Sequence, residues 1–433
     1  MKVNRVGKIN GKCRLTPDIF LAWFNNCWQW LLLLAIAAVF AAGVEFFYNL
    51  PAGHAEDYEY IPIEDILYKN FNLAEGSVFV SDGGSASLTF SFEKQFVDKL
   101  YFSVEPGSDQ SSNFTIEVHS YPLGNSSGEI RRIQDENNYV LRSSWVNIHE
   151  VADQITISTE EGSAPLAVSN IAIDNTGNIS LIRLIFVGTV AFFIMAGIFL
   201  LHSKKELKLE RLFLLICLVM GTLCIGAMPA HKVGYDEEIH FGRAYFLPEI
   251  LAGEETISSP HGIYELYSVT IQNWPMSLPQ SEEERKAEDA YWDGSCDEKL
   301  NNKEDWVEEE NFSFGLSSVC YVFQWMMIQI GKLLHLPFSM IYRLGRLGNL
   351  LMYSVVGFFA LKHITAGKRI LFLLALMPTS FMAAITYSYD AWLNAFTILG
   401  IAWFVEEFNR KGNVNYKNCL VYIVAFMVAC MAK

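Results

Sequence analysis

Residues 31–44 read LLLLAIAAVFAAGV and lie inside an apolar run that extends from about Phe20 to Phe47. A run of roughly 20 apolar residues matches the hydrocarbon thickness of a bilayer. This run is longer than the apolar core of a signal peptide, and it has no clear small-residue cleavage site. Basic residues precede it and acidic residues follow it, so the positive-inside rule places the N-terminus in the cytoplasm. The sequence therefore predicts an integral membrane protein.

Further apolar runs predict that the protein crosses the membrane several times. They are Leu181–His202, Leu212–Met228, Tyr342–Lys362, Ile370–Ser388 and Ala391–Val405. A last run, Cys419–Lys433, begins another span and stops near its end, so we expect the chain to be an incomplete copy of a larger helical module. The net charge of -15 argues against a nucleic-acid partner, because such proteins present a basic face.

Residues 48–180 have a different pattern. Segments such as SASLTFSF (85–92) and FTIEVHSY (114–121) alternate apolar and polar residues, and clusters of Gly, Asn, Asp and Ser separate them. Short alternating strands at this spacing are typical of an antiparallel β-sandwich or jelly roll. The segment follows a span that runs outward, so we expect it on the extracytoplasmic side. It contains no cysteine and must be held by its own apolar core.

The segment Ser317–Leu336 sets the topology of the remaining spans. If it crosses the membrane, the basic loop 363–369 (HITAGKR) lies outside, against the positive-inside rule. If it lies in the interface as an amphipathic helix, that loop and the basic loop 406–418 are both cytoplasmic. We prefer the second arrangement. It places Asp390 at the extracytoplasmic surface, on the same side as Asp236 and Glu237.

The first candidate site is GYDEEIH (234–240), directly after the third span. On a helix, Asp236 and His240 share one face because they are four residues apart. Carboxylates beside a low-dielectric region are costly unless they are solvated, paired or bound to a cation. Asp236 and Glu237 are therefore candidates for general-base chemistry or for binding a divalent cation, Mg²⁺ or Mn²⁺. The alternative is a solvated helix start with Asp236 as its N-cap.

The second candidate is Asp390, which follows Tyr389 in a tight turn between two apolar runs. It is either a catalytic acid or the N-cap of the helix that begins at Ala391. Arginines supply a third set of candidates. Arg343 and Arg346 could bind a phosphate bidentately or extend to lipid headgroups, and Arg243 and Tyr245 are candidates of the same kind.

The segment 228–253 (MPAHKVGYDEEIHFGRAYFLPEILAG) resembles the signature of a bacterial membrane family, the domain of unknown function 2142. The signature has Asp-Glu-x-x-His-Phe followed by Arg-Ala-Tyr, here Asp236 to Tyr245, although Glu238 stands where the family usually has proline. The segments 342–351 (YRLGRLGNLL) and 375–395 (ALMPTSFMAAITYSYDAWLNA) resemble its later blocks. The resemblance covers about residues 210–433.

That family is similar to the GT-C superfamily of membrane glycosyltransferases, and the resemblance implies a GT-C-like helical fold with an inserted sandwich. It implies transfer of a sugar from a polyprenyl-phosphate carrier to a cell-envelope glycan or glycolipid outside the cytoplasm. Asp236 and Glu237 match the acidic motif of the first external loop, and Asp390 matches the second acid by position. His240, Arg243, Tyr245, Arg343, Arg346 and Tyr389 are then the expected substrate-binding residues. The alternative is a non-catalytic protein of envelope polysaccharide export or assembly.

The expected organisation follows from these patterns. It comprises a cytoplasmic basic tail (1–19), a span (20–47), an extracytoplasmic sandwich (48–180), two spans (181–229), an external acidic loop with an interfacial helix (230–341) and the spans of the GT-C-like module (342–433) in a bacterial plasma membrane.

Overall fold

A computed structural model describes residues 17–52, 58–105, 112–122, 127–137, 140–177, 179–202, 208–231, 233–234, 236–267, 281–296, 304, 306–310 and 315–432. Most of the predicted basic tail lies outside these residues. The chain divides into two compact units. One contains the chain up to Phe47 and the segment Arg183–Glu206, and the other contains Tyr48–Ile182 and Leu207–Lys433.

The first unit consists of two long apolar helices, α1 (Pro17–Asn49) and α2 (Leu181–His202). Glu45 and Arg183 form a bidentate ion pair, with nitrogen–oxygen distances of 2.6 and 2.7 Å. A charge in an apolar helix is costly unless it is paired, so this pair compensates the two charges within the unit. Gly188 lies against Ala41, and the missing side chain lets the two helices approach closely.

The second unit begins with a β-sandwich domain. Its strands are β1 (Tyr58–Tyr60), β2 (Ile66–Lys69), β3 (Asn72–Ala74), β4 (Val78–Ser81), β5 (Ala86–Val104), β6 (Asn113–Ser120), β7 (Glu129–Glu136), β8 (Ser143–Thr159) and β9 (Leu166–Asp174). Within the described residues these strands are all antiparallel, in the order β3-β4-β9-β5-β8-β6-β7, with β1 paired to β9 and β2 to β5. Alternate residues of β5, β6 and β8 are buried in one apolar core.

The sandwich differs from the expected set of short strands in two respects. The expected strand 85–92 continues into the 19-residue strand β5 (Ala86–Val104), because β-bulges near Gln95 and Lys99 bend the chain without ending its pairing with β8. Strand β7 is also present, although its sequence EIRRIQDE does not alternate cleanly. It lies at the end of the strand order beside β6, where several of its side chains stay exposed.

A polar region, residues 230–337, follows the helix α3 (Leu209–Ala227). It contains α4 (Glu237–Tyr245), α5 (Leu247–Ala252), β10 (Thr256–Pro260), α6 (His261–Tyr267), α7 (Glu282–Ser295), β11 (Trp306–Glu310), a 3₁₀ turn (Leu316–Tyr321) and α8 (Val322–Leu333). β10 and β11 form a two-stranded antiparallel sheet. α8 has 12 residues, which corresponds to about 18 Å of helix. This is shorter than the roughly 30 Å of a bilayer core.

The remaining helices are α9 (Phe338–His363), α10 (Lys368–Ala375), α11 (Pro378–Ile385), α12 (Asp390–Phe408) and α13 (Tyr416–Cys430). Among the described residues, four helices are long and apolar enough to cross a membrane: α1, α2, α3 and α9. The expected span Ile370–Ser388 corresponds to two helices, α10 and α11, which are together apolar enough to cross a membrane and meet at an angle of 52°. Pro378 at the start of α11 and the extended residue Met377 account for the break.

Helix α9 lies at the centre of the helices of the second unit. α3, α8, α11 and α12 all pack against it. Tyr342, Arg346, Asn349 and Tyr353 recur every three to four residues and are buried, which identifies one continuous inner face of the helix. Gly348 allows the main chain of Phe323 in α8 to approach α9 directly. The inner face therefore positions the polar residues described next.

Candidate functional site

The polar site begins where the chain leaves α3 and enters α4. Asp236 precedes α4 and has a left-handed backbone conformation (φ 52°, ψ 25°). Aspartate tolerates this conformation better than most residues. The side chain of Asp236 makes no capping hydrogen bond to α4 and is partly exposed. The carboxylate expected as a possible N-cap is therefore not engaged in capping.

Glu237 has a different environment from its neighbour. It is completely buried and forms an ion pair with Arg346 on α9, at 2.8 Å. Its Oε1 also accepts the main-chain N–H of Tyr387, and its Oε2 accepts those of Val233 and Gly234. Burial alone would raise the pKa of Glu237, but the charge of Arg346 and these hydrogen bonds hold the pKa below its usual range. Glu237 therefore ties α4 to α9 and to the turn after α11.

These contacts correct two expectations from the sequence. Glu237 is not available as a general base or as a cation ligand, because five donor contacts already occupy its two oxygens. Arg346 is not available for a substrate phosphate. Its guanidinium is fully buried and also donates to the main-chain oxygens of Pro229 and His231. Both residues are structural.

His240 lies one turn further along α4, on the side of Asp236. Its Nδ1 is 2.7 Å from the hydroxyl oxygen of Tyr321, and its ring meets that of Tyr389 edge to face at 5.1 Å. Burial lowers the pKa of His240, and nearby Arg243 lowers it further, against the opposing charges of Asp236 and Asp390. The imidazole is therefore neutral at pH 7. Burial also raises the pKa of Tyr321, so this phenol keeps its proton.

Asp390 is the most open acid of this group. It is exposed at the first residue of α12, and its main-chain N–H donates to the Ser388 hydroxyl. Its charge acts on both His240 and Tyr321. The structure thus brings together Asp236, His240, Arg243, Tyr321, Tyr389 and Asp390, which we call the acid–histidine cluster. They come from α4, from the 3₁₀ turn before α8 and from the turn before α12.

Two other expected binding residues lie outside this cluster. Tyr245 is buried, and the Lys332 ammonium lies 3.4 Å from the centre of its ring. Arg343 binds both carboxylate oxygens of Asp289 in α7 and the main-chain oxygen of Met228. Each has a protein partner that accounts for its position. Tyr321 was not among the expected residues, because a lone tyrosine at the start of an apolar run has no distinctive pattern.

The donor set does not fit a cation site built by the protein. Among the described residues, no group of three or more His, Cys, Asp or Glu side chains is placed to hold a metal ion. Glu237 is saturated, as shown above, and Nδ1 of His240 faces Tyr321. Within the described residues, no hydrogen bond reaches the side-chain oxygens of Asp236 or Asp390. The expected Mg²⁺ or Mn²⁺ at Asp236 and Glu237 stays a prediction, and it would require Glu237 to give up donors that it already holds.

Comparison with known proteins gives one match to a family model, over the C-terminal part of the chain. Residues 218–433 match the family described as "Predicted membrane protein (DUF2142)". No curated protein matches the chain.

Several solved structures resemble part of the chain, and they include carbohydrate-binding modules. The β-sheet domain resembles their folds. One is the CBM32 of AlyQ in complex with 4,5-unsaturated mannuronic acid (12% identity, 26% of this chain and 96% of that chain, TM-score 0.22). Another is CpGH89CBM32-4, produced by Clostridium perfringens, in complex with GlcNAc-α-1,4-galactose (18% identity, 27% and 97%, TM-score 0.18). A third is the glycosylation-associated Gap123 complex from Streptococcus agalactiae (13% identity, 32% and 30%, TM-score 0.20).

Proposed function

We propose that this chain, whose residues 218–433 match a family of membrane proteins, is a membrane glycosyltransferase. It uses a sugar linked to a polyprenyl phosphate and modifies a cell-envelope glycan or glycolipid on the extracytoplasmic side. The acid–histidine cluster is its reaction centre. The sandwich domain binds or positions the glycan acceptor.

One observation supports this proposal above the others. Acids from two distant parts of the chain, Asp236 and Asp390, act on the same histidine. The adjacent pair Glu237–Arg346 fixes their relative position, because it joins α4, α9 and the turn at Tyr387 through buried hydrogen bonds. A rigid support beneath exposed carboxylates is the arrangement that an enzyme needs to hold reacting groups in place.

The chemistry follows from the state of each group. A carboxylate, Asp390 or Asp236, removes the proton from the acceptor hydroxyl as that oxygen attacks the anomeric carbon of the donor sugar. The bond from the anomeric carbon to the phosphate oxygen breaks, and polyprenyl phosphate leaves with the electron pair. Arg243, the cation of the cluster, stabilises the charge on the leaving phosphate. The hydroxyl of Tyr321 donates a hydrogen bond to Nδ1 of the neutral His240, so Nε2–H is free to donate to the substrate.

The test is transfer of radiolabelled hexose from a panel of polyprenyl-phosphate hexoses to the glycan fraction of membranes that contain the protein. We compare the wild type with Asp390→Asn, Asp236→Asn and the matched control Glu255→Gln. Glu255 is an exposed carboxylate elsewhere in the polar region. Loss of a general base lowers rates by roughly 10²- to 10⁴-fold, so we expect such a loss in at least one aspartate variant and none in the control.

The second candidate function is non-catalytic assembly or export of an envelope polysaccharide. It predicts that both aspartate variants support polysaccharide production like the wild type. The proposal of an enzyme is wrong if the wild type transfers no label from any donor of the panel, or if both aspartate variants transfer as fast as Glu255→Gln at equal expression.

A further inference from the structure

A cavity of about 600 Å³ lies between α3, α7 and α9. This volume is within the range of small-molecule sites, roughly 300–1,000 Å³. Its apolar wall comes from Ile225 in α3 and from Met340, Leu344 and Leu347 in α9. Its polar wall comes mainly from α7.

The cavity lies on the opposite side of α9 from the reaction centre. Met340, Arg343, Leu344 and Leu347 line it, whereas the inner face of α9 carries Tyr342, Arg346 and Asn349. At 100° per residue the mean directions of these two sets differ by roughly 145°. A ligand in the cavity is therefore not a reactant of the acid–histidine cluster, and the inference does not depend on the proposed function.

The polar wall contains charges of both signs. Arg285, Lys286 and Arg343 supply three positive charges, and Asp289 and Asp293 supply two negative charges. Arg343 is held by Asp289, and Lys286 forms an ion pair with Glu282 at 3.0 Å at the exposed edge of α7. Arg285 has only one nitrogen in contact with the Asp289 carboxylate, at 3.1 Å. Its Nε and its other terminal nitrogen have no recorded partner within the described parts of the chain. A mixed wall of this kind suits a zwitterionic ligand better than a strongly anionic one.

The acids of the wall also retain acceptor capacity. Each carboxylate oxygen of Asp293 accepts a single hydrogen bond from Ser339. The main-chain N–H of Ser339 donates to Oδ1, and the hydroxyl of Ser339 donates to Oδ2. An ionised carboxylate has about four acceptor positions, so each oxygen has room for a further donor. A primary ammonium has three N–H donors and satisfies this requirement, whereas a quaternary ammonium has none.

The position of the opening indicates where the ligand comes from. Thr222 and Gly226 near the end of α3 and Met340 near the start of α9 line the cavity and are exposed. Both helices have the length and composition of membrane spans. The cavity therefore lies where a span meets the polar region, at the level of lipid headgroups, and its apolar side is open to acyl chains.

We infer that this cavity binds a phospholipid with a zwitterionic headgroup that bears a primary amine, such as phosphatidylethanolamine. The phosphate lies against Arg285 and Lys286. The ammonium donates to Asp289 and Asp293. The acyl chains leave along Ile225 and Leu347.

The experiment uses the full chain, delipidated in detergent, with native mass spectrometry as the readout. Phosphatidylethanolamine, phosphatidylcholine and phosphatidylglycerol of identical acyl chains are titrated separately. The test variant is Arg285→Gln/Lys286→Gln. The matched control is Arg410→Gln/Lys411→Gln, which removes another adjacent Arg–Lys pair, exposed between α12 and α13. Melting temperatures without lipid establish that each variant is folded.

We expect one molecule of phosphatidylethanolamine to bind at least tenfold more tightly than either other lipid. The test variant lowers that affinity by about tenfold or more, the change expected from loss of roughly one charge-assisted hydrogen bond, while the control retains it. Equal binding of the three lipids would show general lipid association only and would overturn the inference. So would an unchanged affinity in the folded test variant.

Discussion

Glu237→Gln keeps the size of a buried side chain and removes its charge. In the wild type, Oε1 of Glu237 accepts hydrogen bonds from two donors and Oε2 accepts them from three. A glutamine amide has an oxygen at only one of these positions. In either orientation, two or three buried donors therefore face an NH₂ group instead of an acceptor, and Arg346 is left as an uncompensated buried charge.

The expected cost is large. Removing one partner of a buried ion pair costs about 3–5 kcal/mol, and each unsatisfied buried donor costs about 1–3 kcal/mol. These two estimates overlap and should not be added. A loss of about 3–5 kcal/mol corresponds to a decrease in melting temperature of roughly 10 °C. Asp236→Asn, one residue earlier, changes a partly exposed side chain that makes no capping bond and should leave the melting temperature within about 2 °C.

The assay is thermal unfolding of purified protein in detergent, followed by tryptophan fluorescence, with hexose transfer measured on the same preparations. Glu237→Gln should lose stability, and any loss of transfer should follow the loss of folded protein. A Glu237→Gln protein that melts like the wild type but transfers no sugar would refute this reasoning. It would return Glu237 to the catalytic role expected from the sequence.

Two further predictions test other parts of the structure. Because the folded-state pKa of Glu237 is lowered, its stabilisation is complete above the unfolded-state value of about 4.3 and is lost as the pH falls through the folded-state value. As the pH is lowered from about 5, the melting temperature of the wild type should therefore decrease more steeply than that of Glu237→Gln. Parallel pH profiles of the two proteins would contradict this. Gly348→Ala should lose about 1–3 kcal/mol, measured by thermal unfolding, because the new Cβ would overlap the main-chain oxygen of Phe323. Gly43→Ala, where the space is open, is the control, and equal melting temperatures would contradict the packing of α8 on α9.

The sequence predicted strands and helices correctly where their residues follow a regular apolar pattern. Alternation in 85–92 and 114–121 predicted strands because a sandwich buries every second residue, and apolar runs of span length predicted α1, α2 and α3. It was less informative for β7, whose charged residues are tolerated because several stay exposed. The pairing of β10 with β11 was not predicted for another reason: 45 residues separate Pro260 from Trp306 along the chain.

The candidate site was predictable by residue type but not by role. Asp236 and Glu237 are adjacent acids, and the sequence cannot say which one is buried. Glu237 is the first residue of α4 and reaches Arg346, whereas Asp236 precedes the helix in a left-handed conformation and stays near the surface. The break at Pro378 had a clear signal, a proline within an apolar run, and a prediction that weighed it would have divided the span there.

The acids of α7 have a consequence for how the protein is made. Asp293 caps the N-terminus of α9 through Ser339, and Asp289 holds Arg343 one turn later. As the chain leaves the ribosome, α7 is complete before α9 exists. A folded α7 therefore offers acceptors to the first turns of the next helix as they emerge. The start of α9 is then positioned by a partner synthesised some forty residues earlier, and an error in that polar segment would remove acceptors from a helix that carries no error of its own.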